Sequence, residues 1–178
     1  RYIRTFWALD RSLAYARHFP AINWITSYSE YIGELDPWFE EHLGRDFAQL
    51  RVRVSRLLQE ESKLMEIVKL IGADILPEDQ KLVIEAARIV RLGFLQQNAY
   101  HDTDTYVPIE KQKLMMQIML SLYDSAKKLL ELGIPIAQLR DTGIFDKLIR
   151  IKYDIPNDRL DMFAEYERDV QKAVNGVL

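Results

Sequence analysis

The chain has 178 residues, 48% hydrophobic and 29% charged, which suits one globular domain, or one domain carrying a piece of a second, with a sizeable core. Its net charge of -3 provides no basic field to neutralise phosphates, so we expect no nucleic-acid partner. The absence of cysteine excludes disulfides and thiolate chemistry. The longest apolar stretch, 114–123, is interrupted by Gln117 and is too short for a bilayer, so we expect no direct membrane insertion.

The first residues are aromatic and β-branched, and they predict one β-strand over Tyr2–Leu9. The sequence starts in this strand pattern with neither a methionine nor a signal-peptide pattern. We therefore expect the chain to be a fragment of a larger protein.

A short helix and an irregular segment follow the strand. Asp10 is predicted to cap a helix from Arg11 to about Arg17, because a carboxylate accepts hydrogen bonds from first-turn amides. The segment FPAINWITSYS, 19–29, has no regular period. Pro37 is then predicted to open a short helix that ends near Gly44.

Three long helices are predicted from apolar residues at three- and four-residue steps. The first begins after Asp46 and ends at Gly72 in a left-handed cap. Its apolar face is Phe47, Leu50, Val54, Leu57, Leu58, Leu64, Met65, Val68 and Ile71. The second begins at Pro77, ends near Gln97 and turns Val83, Ala86, Ala87, Val90 and Phe94 inward.

The third long helix begins at Pro108 and ends at Gly133, with an apolar face of Leu114, Met115, Ile118, Leu122, Tyr123, Ala126, Leu129 and Leu130. Two shorter helices are predicted, from Ile136 to about Lys152 and from Asn157 to about Val174. The predicted fold is mainly α, a helical bundle preceded by one N-terminal β-strand.

The sequence contains no complete catalytic motif. None of the seven glycines precedes a lysine, so the chain lacks a P-loop and, by itself, a phosphate cradle. Only HDTD, 101–104, resembles a metal cluster, but zinc needs three or four spaced ligands, and a solvated turn capped by aspartates is favoured. The carboxylate pairs Glu40-Glu41 and Glu60-Glu61 are likewise expected on solvated helix faces. We predict no catalytic residue and no metal ligand in this chain.

Two segments carry a family resemblance. RTFWALDRSLAYARHFPAINWITSYSEY, 4–31, closely resembles the catalytic A subunit of V-type and archaeal A-type rotary ATPases, where the nucleotide-binding domain meets the C-terminal helical domain. FLQQNAYHDTDTY, 94–106, resembles the same family, which usually has phenylalanine at the position of Tyr100. The resemblance implies that residues 1–35 end the nucleotide-binding domain with its connecting loop and that 36–178 are the C-terminal α-helical domain.

In this family, aromatic side chains of the C-terminal part hold the adenine of ATP, whereas an earlier P-loop domain holds the phosphates and Mg²⁺. The resemblance therefore implies an adenine site formed by Phe19 and Tyr100, with Gln97 and Asn98 placed to hydrogen-bond the adenine edge. For Asn98, capping of the turn is an equally good interpretation. ATP or ADP with Mg²⁺ is implied for the parent subunit, and no tightly bound cofactor for the fragment.

A second site is implied by a looser likeness to the DELSEED loop of the F-type catalytic subunit, which pushes on the rotor. The segment DILPEDQ, 74–80, occupies the same place between two long helices, although Ile75 and Pro77 depart from that motif. The implied rotor contacts are Asp74, Ile75, Leu76, Pro77, Glu78 and Asp79.

The implied partners are non-catalytic B subunits in an alternating hexamer and the subunits of a central stalk. The implied location is cytoplasmic, peripheral to a membrane through the assembled complex. The parent machine would couple ATP hydrolysis or synthesis to rotation and to proton or sodium transport. The alternative is a stand-alone helical interaction module that binds no nucleotide, favoured only by amphipathic faces that any bundle has.

Overall fold

The computed structural model describes residues 2–178, which form eight α-helices and a two-stranded sheet. The mainly α fold predicted from the sequence is confirmed. The helices are α1 Arg11–Tyr15, α2 Ile32–Leu43, α3 Phe47–Ile71, α4 Glu78–Val90, α5 Ile109–Glu131, α6 Ile136–Asp141, α7 Ile144–Asp154 and α8 Phe163–Asn175. A π-helical turn, Arg91–Leu95, continues α4, and a 3-10 turn, Leu160–Met162, leads into α8.

The sheet at the N-terminus is smaller than the predicted strand. Strand β1, Thr5–Phe6, pairs antiparallel with β2, Tyr28–Ser29, and a single bridge joins Leu9 to Ile22. The prediction of one strand over Tyr2–Leu9 was wrong in length. The ladder is interrupted because the side-chain oxygen of Asn23 accepts from the amides of Ile25 and Thr26, both at 3.0 Å, and turns the partner segment away.

Asp10 caps α1 as predicted. Its Oδ1 accepts from the amides of Ser12 at 2.8 Å and Leu13 at 3.2 Å. Hydrogen bonds from Ser12 and Leu13 hold the pKa of Asp10 below its usual value, because they favour the charged form. The helix ends before the predicted Arg17, which has a positive φ of 55°.

Helix α2 starts earlier than predicted. It begins at Ile32, so that Pro37 lies inside the helix and not at its first position. Proline cannot donate to the carbonyl four residues before it, here that of Gly33. Gly33 is exposed, so water can satisfy that carbonyl. The predicted end at Gly44 is confirmed.

The core lies among α3, α4 and α5, as the apolar periods predict. Ala87, Met115 and Ile118 are at most 2% exposed. The predicted inward face of α3 is buried from Phe47 to Leu64, but Ile71 is 49% exposed. The last turns of α3 therefore extend past the core. Within residues 2–178, no helix has the length and apolarity needed to cross a membrane.

The last part of the bundle differs from the prediction in two places. The helix predicted from Ile136 to Lys152 is divided into α6 and α7 by Gly143, whose φ of 78° is a left-handed conformation that glycine adopts without a steric cost. Helix α8 begins at Phe163, later than the predicted Asn157, because the 3-10 turn precedes it.

The π-helical turn packs closely on α7. A Cβ added at Gly93 would lie 2.9 Å from the backbone oxygen of Leu148 and 2.9 Å from Cε of Met119. Only glycine permits this approach of two backbones. The contact fixes where the chain leaves the turn at Gln96 and Gln97.

Candidate functional site

Phe19 lies on the N-terminal segment and presents its ring to solvent. Its side chain is 53% exposed, and it precedes Pro20 through a cis peptide bond. Its carbonyl accepts a hydrogen bond from the amide of Gln97 at 2.7 Å. This bond joins the N-terminal segment to the residues that follow the π-helical turn.

Tyr100 lies in the loop 98–106, which we call the aromatic loop. The residue is 97% exposed, and its amide donates to Oδ1 of Asn98 at 3.0 Å. Like the Phe19 ring, the Tyr100 ring is accessible for an aromatic contact with another molecule. Two exposed aromatic rings thus stand on segments joined through Gln97.

The side chains of Gln97 and Asn98 serve the loop itself. Nε2 of Gln97 donates to the carbonyl of Asp104 at 2.9 Å and to that of Thr105 at 3.4 Å. Oδ1 of Asn98 caps the turn at Tyr100, which was the alternative left open for Asn98. Both residues hold the aromatic loop in shape, and their contact with a base edge stays a prediction.

A buried ion pair anchors the aromatic loop. Nζ of Lys152 lies 3.1 Å from Oδ2 of Asp104, and each residue is 1% exposed. The same Oδ2 accepts from the amide of Asn98 at 2.6 Å. The expectation of a solvated HDTD turn was therefore wrong for Asp104, because a lysine from α7 reaches it inside the protein.

Sequence reasoning missed this pair. Lys152 falls between Leu148 and Ile155 at helical spacing, and both of these residues are fully buried. A lysine on the inward face of an amphipathic helix was the available signal, since lysine is almost never fully buried without a partner. The identity of that partner depends on the fold.

A second buried lysine, Lys111, holds the backbone at Lys152 and at the end of α7. Nζ of Lys111 donates to the carbonyls of Lys152 at 2.9 Å and Ile155 at 2.5 Å and to Oδ1 of Asn157 at 2.9 Å. Nδ2 of Asn157 in turn donates to the carbonyl of Tyr106 at 2.7 Å. Burial lowers the pKa of Lys111, because it disfavours the charged form. The end of α7 and the end of the aromatic loop are thereby connected.

On the other side of the π-helical turn lies His18. Its Nε2 is 3.0 Å from the carbonyl of Arg91, which can only accept, so Nε2 carries the hydrogen. The ring lies 5.4 Å from that of Trp24, which packs against the core. His18 and the Phe19 carbonyl thus fasten the N-terminal segment to both ends of the turn.

Arg91 also pairs with Glu61, whose Oε1 lies 2.9 Å from Nη2. Glu61 is 6% exposed, so the expectation of a solvated face was wrong for this residue, while Glu40, Glu41 and Glu60 are exposed. Burial raises the pKa of Glu61, and the charge of Arg91 opposes that shift.

A cleft of about 230 Å³ opens beside the aromatic segments. Pro20, Phe94 and Gln97 line it, and the Asp104–Lys152 pair lies at its wall.

Within residues 2–178, no group of three or more His, Asp or Glu side chains is arranged to hold a metal ion. Nδ1 of His101 accepts from the amide of Thr103 at 3.2 Å.

The second candidate site is the helix tip, which we define as 67–79. Leu70 is 85% and Ile75 71% exposed, whereas Leu76 is only 5% exposed and packs inward. Asp74, Pro77 and Asp79 are exposed. The tip therefore presents apolar side chains flanked by carboxylates.

Glu78 has a structural task at the tip. Its Oε2 accepts from the amide of Ile136 at 3.1 Å and so caps α6, and its Oε1 lies 3.0 Å from Nζ of Lys81. The Lys81 ammonium and the Ile136 amide lower the pKa of Glu78, because both favour the carboxylate. Within DILPEDQ, the exposed residues are Asp74, Ile75, Pro77 and Asp79.

The fold is a helical bundle with a short N-terminal segment joined to its front end. A sequence model of the C-terminal domain of V and A type ATP synthase matches residues 36–140, more than half of the chain. The chain therefore belongs to this family.

Relatives extend the match to the whole chain. It is 54% identical over 170 residues to "V-type ATP synthase alpha chain 2" of Clostridium tetani, covering 96% of this chain and 29% of the relative. It is 45% identical over 175 residues to the "V-type ATP synthase alpha chain" of Halothermothrix orenii, covering 98% of this chain and 30% of the relative. The chain thus spans about three tenths of the length of the curated relatives it matches.

Proposed function

We propose that the chain is the C-terminal part of the catalytic subunit of a V/A-type ATPase, in which it closes the adenine pocket. The observation that carries this proposal is the pair of exposed rings, Phe19 and Tyr100, on segments joined by the bond from the Gln97 amide to the Phe19 carbonyl. ATP or ADP would sit against these rings. Its phosphates and Mg²⁺ would be held by residues outside this chain.

Stacking explains why aromatic residues suit this task. A ring face against a purine buries apolar area and adds a π contact, and it reads little of the base edge. Hydrogen bonds hold the backbone at Phe19 and at Tyr100, so binding of the base should cost little conformational entropy in either segment. To hydrogen-bond the adenine edge, the side chains of Gln97 and Asn98 would exchange contacts that they make within the loop.

Replacing Tyr100 by alanine in the complete subunit tests the proposal. Aromatic stacking is worth about 1.5 kcal/mol, so we expect ATP affinity to fall about tenfold. Tyr106→Ala is the matched control, since Tyr106 lies in the same loop and is 75% exposed. Equal ATP affinity of wild type and the Tyr100 variant, measured by calorimetry, would remove Tyr100 from the adenine site.

The proposal includes coupling to a rotor through the helix tip. Closure of the nucleotide pocket would move the bundle and carry the tip against a central stalk, driving or following rotation linked to proton or sodium transport. The exposed Ile75 and Leu70 supply an apolar contact, and Asp74 and Asp79 supply charge.

Ile75→Ser tests this contact in the assembled complex. Burying an isoleucine is worth about 1.5 kcal/mol, so the central stalk should dissociate from the catalytic head about ten times more readily. Val52→Ser is the control, because Val52 is a 57% exposed apolar residue of α3 away from the tip. Unchanged stalk binding by the Ile75 variant would exclude Ile75 from the rotor contact.

The proposal extends to the other partners that the family resemblance implies. Non-catalytic B subunits would alternate with this subunit in a hexamer on the cytoplasmic side of a membrane, to which the complex is attached peripherally. The exposed Trp7 and Leu9, 68% and 86% exposed, support burial of the N-terminal segment against the rest of the subunit.

A further inference from the structure

We infer that Lys152 is a positioning residue of the proposed adenine site and that it fixes the aromatic loop carrying Tyr100 relative to Phe19. The inference rests on the proposed function. Lys152 lies on α7, touches neither ring, and acts through the backbone segments on which the rings stand.

Two contacts of the Lys152 ammonium define this role. Nζ donates to the carbonyl of Gln96, where the chain leaves the π-helical turn, and pairs with Oδ2 of Asp104 at 3.1 Å. The lysine and the aspartate side chains are 1% and 2% exposed. The buried Lys152 ammonium thereby joins Gln96 to Asp104, which lies in the second half of the aromatic loop.

Each contact continues to one of the rings. Gln96 is followed by Gln97, whose amide donates to the Phe19 carbonyl at 2.7 Å. Asp104 accepts from the amide of Asn98 at 2.6 Å, and Oδ1 of Asn98 accepts from the amide of Tyr100 at 3.0 Å. The position of Lys152 therefore sets the backbone on both sides of the site.

The Asp104–Lys152 pair can fix the orientation of the loop, which apolar packing would not do. A buried pair is a poor source of stability compared with apolar residues of equal volume, but it is directional. Without the ammonium, the buried carboxylate of Asp104 loses its counter-charge and keeps only neutral partners, among them the Asn98 amide, while the carbonyl of Gln96 loses the Lys152 donor. The loop should then open to hydrate both groups. Opening of the loop would change the position of Tyr100 relative to Phe19.

The test uses the complete subunit in its assembled complex. Lys152→Met removes the charge and keeps much of the volume, and we expect KM for ATP to rise about tenfold with kcat changed less than about twofold. Affinity for inorganic tripolyphosphate should not change, because the phosphates are held elsewhere. Lys147→Met is the matched control, since Lys147 lies on the same helix and pairs with Asp169 of α8.

Asp104→Asn is the second variant and should raise KM in the same way, because it removes the partner charge and retains an acceptor for the Asn98 amide. It decides the question alone if the Lys152 variant does not assemble. Since Lys152 acts through the rings, Lys152→Met combined with Tyr100→Ala should weaken ATP binding by less than the product of the single effects.

Three results separate the possible failures. An unchanged KM in assembled Lys152 or Asp104 variants, with Tyr100→Ala still weakening ATP binding, would overturn the positioning role and leave the proposed function standing. Equal losses of ATP and tripolyphosphate affinity would also overturn it, since they indicate general structural damage. An unchanged affinity in Tyr100→Ala would instead remove the adenine site on which the inference rests.

Discussion

Arg91 is the residue at which the N-terminal segment, the π-helical turn and α3 meet. Its carbonyl contacts His18, and its guanidinium pairs with Glu61. Glu61 is thus a buried carboxylate whose ionisation carries a solvation cost, and Arg91 compensates part of it. The stability of this junction should depend on pH.

We predict that Glu61→Gln becomes more stable relative to wild type as pH rises from 5 to 8. The pKa of Glu61 is raised above its ordinary 4.5 in the folded state, so the stability contributed by its neutral form is present below that value and is lost as pH rises through the folded pKa. Glutamine keeps a neutral side chain throughout. Urea unfolding of both chains across this range measures the difference.

The exposed neighbour provides the control for this prediction. Glu60→Gln should show no such pH-dependent difference from wild type, because Glu60 is solvated. A constant difference between wild type and the Glu61 variant at every pH would contradict the buried, raised state of Glu61.

At the scale of elements, the π-helical turn and α7 pack closely together next to the candidate site. Their close approach at Gly93 leaves no room for a side chain, because a methyl group there would lie 2.9 Å from the Leu148 carbonyl oxygen. The same α7 carries Lys152 to the aromatic loop. Displacing α7 from the turn should therefore affect both stability and the site.

We predict that Gly93→Ala lowers the free energy of unfolding by about 2 kcal/mol, because overpacking forces a backbone shift. Gly33→Ala is the matched control, since Gly33 lies in α2 with no atom within 4 Å of its added Cβ, and it should raise stability by about 0.5 kcal/mol. Thermal unfolding of both variants measures the signs. A neutral Gly93 variant would contradict the close packing.

The long helices could be predicted because local residues define them. Gly72 ends α3, Pro77 precedes α4, Pro108 precedes α5, and the apolar period fills the lengths between. The break at Gly143 was missed because apolar spacing continues across it. The π-helical turn depends on a backbone contact with α7, which lies much later in the chain.

The candidate site residues could be named only from the family resemblance, and their role stays a prediction. Phe19 and Tyr100 lie within segments whose sequence resembles the family, and the structure shows both rings exposed. The Asp104–Lys152 pair was not predictable, because its members come from different elements and neither residue marks its partner in the sequence. Long-range ion pairs are a property of the fold.

At the scale of the whole molecule, the proposal rests on two exposed surfaces, one with the rings of Phe19 and Tyr100 and the other at the helix tip. It spans about three tenths of its curated relatives, and its sequence contains no P-loop. Under the proposal the chain alone should bind ATP weakly, because the charge-assisted contacts to the phosphates and Mg²⁺ would come from residues outside it.

We predict that the purified 178-residue chain releases no phosphate from Mg²⁺-ATP. It has no phosphate cradle of its own, and stacking alone supplies no stabilisation of a phosphoryl transition state. A phosphate-release assay measures this, with the assembled complex as the positive control. Magnesium-dependent turnover by the purified chain would contradict the proposal that residues outside this chain hold the phosphates and Mg²⁺.

Photolabelling of the assembled complex with 8-azido-ATP, followed by peptide mapping, asks directly whether this chain holds the adenine. We predict that the adenine end labels the segment at Phe19 or the aromatic loop at Tyr100, and that excess ATP prevents the label. Specific labelling that ATP suppresses but that falls wholly outside these two segments would contradict an adenine site on this chain.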